Sequence, residues 1–376
     1  MASSPELLHY FPPFLQVYND GRIERLITTP RLPPSTDPIT GVQSRDVVIS
    51  FDHETKSRIF LPKINPQDPP KKLPLIIYIH GGGFCIGSPV NIVTHSFLTP
   101  LVSQTPAVAI AVGYRLAPEN PLPTRPGNRV VFGLACRGLA GWRVKICQPK
   151  HDQFKYTGHG LAGHGLAGLE RKPIYDPPTH LFIRVYRLAE LPALLPTAYH
   201  DCWAAFKWIA AHSTGSGPDP WINDYVDTSR VFLVGESAGA NLAHYVTVQA
   251  GVSKPGLDIQ GLIALHPYFS EKEPDKMIQY LYPGSSSSDD DPKLNPRSDP
   301  DLEKMGCSRV FIMVAEKDFL KQRGIDYMET LKKSKWEGSV EFVENEGEDH
   351  CFYLFNPRSE KAKGVIQMLI SFVNQA

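Results

Sequence analysis

The sequence has no excess charge of either sign. Lys+Arg and Asp+Glu both number 39 in 376 residues, so no global field draws the chain to nucleic acid or to a membrane surface. No apolar run approaches the roughly 20 residues that span a bilayer. The opening stretch, MASSPELLHYFPPFLQVYND, offers neither a basic start nor an unbroken apolar core, and a secretory leader is not expected. Six cysteines (Cys85, Cys136, Cys147, Cys202, Cys307 and Cys351) are scattered without a CxxC pair. That pattern points to reduced thiols and a cytoplasmic location rather than a disulfide frame.

What is present is a series of short apolar, β-branched runs. They lie at 46–50, 58–61, 75–79, 107–112, 231–234, 261–265, 309–314 and 339–343. Helical patterns at 199–211 and 238–250 separate the later ones. Strands without polar alternation, divided by helices, predict an α/β fold whose mostly parallel sheet is covered on both faces. The first two runs follow each other closely, which predicts an antiparallel pair at one edge.

One tract departs from the rest. Residues 125–197 carry 11 Lys/Arg against 4 Asp/Glu, whereas the remainder holds 28 against 35. Leu-Pro-Thr occurs at 122–124 and again at 195–197, bracketing the tract. Its removal leaves a strand-to-helix connection of ordinary length, and some 70 structureless residues inside a compact domain are uncommon. The tract is therefore read as an atypical, poorly ordered insertion. Loop-closure cost rises by only about 0.6 kcal/mol per doubling of length, so a fold survives such an insertion. Within it, GHGLAGHGLAG at 158–168 contains two overlapping GxGxxG matches. No apolar strand precedes it, and Pro173, Pro177 and Pro178 follow where a phosphate-binding helix would start. No nucleotide cofactor is expected. His151, His159, His164 and His180 match no metal-ligand spacing, and no metal is expected either.

The chemistry lies elsewhere. Gly235-Glu236-Ser237-Ala238-Gly239 follows the apolar run 231–234 and opens a helix, the context of a nucleophile elbow, where a tight turn lifts a serine hydroxyl above the sheet. Such a serine needs a histidine to take its proton and a carboxylate to orient that histidine. In this architecture the chain order is serine, acid, histidine. His350, in GEDHCF, is the histidine beyond the last strand. Asp318, just after the run 309–314, is the expected acid, with Glu316 as the alternative. His80-Gly81-Gly82-Gly83 follows the run 75–79 and fits an oxyanion motif whose donors are the amides of Gly82, Gly83 and Ala238. Tyr10, Phe11, Phe14 and Tyr18 are candidates for a pocket wall or for packing.

Taken together, HGGGF at 80–84, YRLAPENPLP at 114–123, AYHDCWAAFKWIAAHS at 198–213, DTSRVFLVGESAGANLAH at 227–244, AEKD and GEDH resemble the plant carboxylesterases. These belong to the hormone-sensitive-lipase-like branch of the α/β-hydrolases. The resemblance covers nearly all of 1–124 and 198–376. It implies an eight-stranded sheet over 41–124 and 198–376, and a small helical cap built from residues 1–40 and a segment after the sixth strand. It also implies hydrolysis of small carboxylic esters through an acyl-enzyme, without cofactor or metal, on a small-molecule substrate. Two relatives offer other activities. The gibberellin receptor is a binding protein that lacks the triad histidine, which is intact here as His350. The 2-hydroxyisoflavanone dehydratases carry threonine in the elbow of their legume forms while others keep the serine, so Ser237 favours the esterase and leaves the dehydratase as the alternative.

Overall fold

The computed structural model describes residues 5–50, 55–65, 67, 71–119, 197–270, 275–282 and 291–375. The glycine-rich stretch, the four histidines and the remainder of 125–196 lie outside them. The eight expected runs are strands of one sheet: β4 (Gln43–Ser50), β5 (Thr55–Leu61), β6 (Leu73–Ile79), β7 (Val108–Val112), β8 (Val226–Glu236), β9 (Ile259–Leu265), β10 (Arg309–Ala315) and β11 (Ser339–Asn345). Their order across the sheet is β11-β10-β9-β8-β6-β7-β5-β4. All neighbours from β11 to β7 are parallel. β5 runs antiparallel to both β7 and β4, so the expected antiparallel pair does close one edge.

The helices are α1 (Ile92–Gln104), α2 (Thr197–Ala210), α3 (Pro220–Tyr225), α4 (Ala238–Ser253), α5 (Lys276–Leu281), α6 (Lys321–Lys333), α7 (Phe352–Phe355) and α8 (Glu360–Asn374). They cover both faces of the sheet, and β6 shows how. Leu75, Ile77 and Ile79 share one core with Phe206 of α2, Leu242 of α4 and Tyr327 of α6. Ile76 and Tyr78 share the other with Leu98 of α1 and Leu369 of α8. Alternate side chains of a strand point to opposite faces, and with both faces covered the sequence shows an unbroken apolar run.

The cap departs from expectation in one respect. Among the described residues the N-terminal segment is a three-stranded antiparallel sheet, β1 (Leu7–Phe11), β2 (Leu15–Tyr18) and β3 (Ile23–Arg25). Pro12 and Pro13 prevent a helix from running through this segment, and Gly21, at φ +84°, supplies the turn between β2 and β3. The helical part of the cap is α5, after β9. The N-terminal sheet is tied down by Arg25, which donates to the Cys85 carbonyl at 2.7 Å and pairs with Glu119 at 2.7 Å. The described residues fall within one compact unit.

Candidate active site

The site stands at the carboxyl ends of the central strands, where α/β sheets gather their ligands. At the end of β8 the chain turns sharply into α4. Ser237 takes φ +52° and ψ −122°, a conformation a side chain rarely adopts. The flanking glycines allow the turn by close approach. A Cβ on Gly235 would come within 2.2 Å of the Gly239 carbonyl oxygen, and one on Gly239 within 2.1 Å of that of Ile79. A tetrahedral side chain at either position would wedge α4 away from β6 and β8.

The loop after β6 faces this turn. His80 is buried and stacks on Tyr114 with ring centroids 4.4 Å apart. Burial pulls its imidazole down to about 4, so it is neutral. Tyr114 donates to the His80 carbonyl at 2.9 Å, fixing the start of the loop. Gly81 donates its amide to Glu236 Oε1 at 3.2 Å, joining loop and elbow directly. Burial raises the carboxyl of Glu236 above its usual range, against the opposing effect of that amide. Among the described residues, the amides of Gly82, Gly83 and Ala238 donate to no protein acceptor. Three backbone donors are thus left open, and Gly82 lines the same cavity as Ser237.

The turn after β10 places Asp318 and the loop after β11 places His350. His350 Nδ1 lies 2.8 Å from Asp318 Oδ2, and the Leu320 amide donates to Oδ1 at 2.7 Å. Burial of Asp318 opposes its charge. The hydrogen bonds from two histidines and the Leu320 amide outweigh it and hold the carboxyl well below the ordinary carboxylate range. Glu316, the alternative acid, instead accepts the Gly347 amide at 2.7 Å and braces the His350 loop. Ser237 and His350 line the same cavity, but no hydrogen bond joins their side chains. Such contacts are often long without substrate and close when it binds.

That cavity measures about 570 Å³, within the range of small-molecule sites. Phe14 of the N-terminal segment lines it, together with Ile86, Val93, Phe319, Phe352 and Phe355. Of the four N-terminal aromatics only Phe14 reaches it. Tyr10 is exposed, Phe11 packs against Tyr280, and Tyr18 donates to Glu24. Asp349, beside the base, also lines the cavity and accepts the His350 amide at 2.7 Å.

Comparison with known proteins bears on this geometry. A family model described as the α/β-hydrolase fold matches residues 76–129 and 182–354. The chain belongs to the α/β-hydrolase family. The stretch between those two matches, 130–181, is not part of the match. Among curated relatives, the hydrolase is 34% identical over 387 aligned residues to "Probable carboxylesterase 5" of Arabidopsis thaliana, covering 98% of each chain. It is 29% identical over 395 residues to 2-hydroxyisoflavanone dehydratase of Glycyrrhiza echinata, covering 99% of this chain and 98% of that one. Among solved structures, a hyperthermophilic esterase from the archaeon Pyrobaculum calidifontis superposes with a TM-score of 0.56 at 18% identity, covering 89% of this chain and 85% of that one. This last likeness speaks to the fold.

One residue of the site escaped the sequence reading. His266, directly after β9 in LHPYF, is fully buried, and its Nδ1 lies 2.7 Å from the same Asp318 Oδ2 that His350 uses. Its position at the carboxyl end of an apolar strand was the available signal. Ligand atoms of His266, Asp318 and His350 lie within 4.8 Å of one another and could in principle hold a cation. Both Nδ1 atoms are directed at the carboxylate, however, and a metal would have to displace the proton from each.

Proposed function

We propose that this hydrolase is a serine carboxylesterase acting on small neutral esters. The observation that carries the reading is the convergence on one cavity of a serine in a strained elbow, an imidazole held by a buried carboxylate, and Gly82 of the glycine loop. Ser237 Oγ attacks the ester carbonyl while His350 Nε2 takes its proton. The negative oxygen of the tetrahedral intermediate is received by the amides of Gly82, Gly83 and Ala238. Collapse of the intermediate breaks the bond to the alcohol, which leaves with the proton from His350. Water then repeats the sequence on the acyl-enzyme and frees the acid. Asp318 holds the imidazole with Nε2 toward the serine.

The cavity lining contains no lysine or arginine among the described residues, and it includes the acidic Glu236 and Asp349. A carboxylated acyl chain would therefore meet apolar walls and like charge. Purified protein is expected to hydrolyse p-nitrophenyl acetate and butyrate, and to discriminate against a p-nitrophenyl hemisuccinate by at least about tenfold in kcat/KM. Equal rates on the neutral and anionic esters would refute the selectivity. Water elimination from a 2-hydroxyisoflavanone, without ester turnover, would replace the esterase reading with that of the dehydratase relative.

The atypical tract is proposed to be dispensable for this activity. Arg115 and Asp201, on either side of it, form a bidentate pair at 2.7 and 2.9 Å, so the chain on both sides is held together by the fold itself. Joining Thr124 to Ala198 leaves a short connection between them. The shortened protein should fold, melt at an equal or higher temperature, and keep its kcat/KM. Insolubility, or loss of ester hydrolysis in a folded product, would show the tract to be a working part.

A further inference from the structure

Two histidines converge on one oxygen of Asp318, and the mechanism above uses only one of them. His350 Nδ1 approaches Oδ2 at 2.8 Å from the loop after β11, and His266 Nδ1 approaches it at 2.7 Å from the end of β9. We infer that His266 is a positioning residue, which pins the Asp318 carboxylate and sets the pH at which His350 becomes a competent base. The inference rests on the hydrolase reading of Ser237, Asp318 and His350.

The physical argument begins with the protonation state of His266. Its side chain is fully buried, and burial pulls its imidazole below the usual histidine range despite the neighbouring carboxylate. It is therefore neutral, and its one proton sits on Nδ1: the 2.7 Å contact with the Asp318 carboxylate, which can only accept, outweighs the Cys351 N–H that points at the same atom from 3.5 Å. Nε2 is then a bare acceptor, and among the described residues it has no hydrogen-bond partner. The groups facing His266 come from three segments. Asp318 follows β10, while Asp349, His350 and the Cys351 amide, 3.5 Å from Nδ1, come from the loop after β11. The Tyr353 ring of α7 stands with its centroid 5.8 Å away. Of these groups only His350 also bonds Asp318 Oδ2, at 2.8 Å, so His266 supplies the second side-chain donor to that oxygen.

Two consequences follow from this second donor. A carboxylate held by His266 and by the Leu320 amide cannot rotate away from His350, and Nε2 of His350 stays aimed into the cavity. The N–H dipole of His266 also withdraws charge from the oxygen that would stabilise an imidazolium at His350. Removing that donor would leave the oxygen free to bind an imidazolium at His350 more strongly. The backbone supports this placement. His266 adopts φ +47°, a left-handed conformation, and its amide donates to the Met313 carbonyl at 2.7 Å, holding the turn against β10.

The test compares His266→Asn with His266→Phe. Asparagine tolerates the left-handed backbone and can place its amide N–H where Nδ1–H stood, whereas phenylalanine fills the space with no donor. In H266F the acid limb of kcat/KM for p-nitrophenyl butyrate should move upward, on the order of half to one pH unit. Its kcat should fall at least about tenfold with KM little changed. In H266N the limb should return to within about 0.2 units of wild type. If H266F does not fold, His266→Gln, whose amide reaches the Nε2 position instead, takes its place with the same expectation. NMR titration of ¹⁵N-labelled histidine in each protein reads His350 directly and needs no turnover. It tests the coupling even if esters prove not to be the substrate. An unmoved His350 titration in the donorless variant, or identical behaviour of the asparagine and donorless variants, would overturn the inference.

Discussion

Replacing Ser237 by Ala should lower the hydrolysis of p-nitrophenyl esters by about 10⁴-fold or more, because the members of such a constellation act as a unit. The substitution removes one oxygen atom and leaves the elbow, with its glycines at 235 and 239, intact. The thermal transition should therefore stay close to that of the parent protein. A residual rate above about one-tenth of the parent kcat would exclude Ser237 as the nucleophile. The comparison separates chemistry from folding, since the lost hydroxyl makes no hydrogen bond with His350 in the substrate-free protein.

Asp318→Asn should have the next largest effect. Asp318 accepts from three donors, His266 and His350 on Oδ2 and the Leu320 amide on Oδ1. An asparagine cannot satisfy all three. With its carbonyl oxygen toward the histidines, its NH₂ faces the Leu320 N–H. Turned over, its NH₂ faces two Nδ1–H groups, and His350 must move its proton to Nε2, the atom that has to accept from Ser237. Either orientation leaves a buried donor facing a donor, and the second also disables the base. A loss of roughly 10³–10⁴ in kcat is expected, measured on a neutral ester at pH 7 to 8.

The same residue links stability to pH. Its folded-state carboxyl lies below the ordinary value of 3.8, so the ionised form stabilises the fold above about pH 4. That contribution is lost as the pH falls through the ordinary and then the folded-state value. The D318N variant should therefore melt at a lower temperature than the parent at pH 7. The gap should narrow on acidification toward pH 3. A constant gap across that range would mean that the charge of Asp318 contributes nothing to the fold.

The sequence by itself determined the sheet and the motifs on it. The central runs became strands such as β6 and β7 because a strand covered on both faces is apolar at nearly every position, and such a run is visible without any partner. GESAG after β8 and HGGG after β6 were equally legible, since a glycine needed for close backbone approach leaves a local mark. The N-terminal sheet was not among the expected runs, because its strands are only three to five residues long and mostly exposed at β1. Chain order singled out His350 and made Asp318 the expected acid, with Glu316 as the alternative. The tertiary structure added their surroundings, turning Asp318 inward between two histidines and Glu316 onto the Gly347 amide. It alone brought in His266, 52 positions before Asp318 in the chain, and chose Phe14 among four aromatics to line the cavity. Those decisions depend on which loops meet above the carboxyl ends of β8, β9, β10 and β11. Such proximity arises from strand order, which no local stretch of sequence encodes.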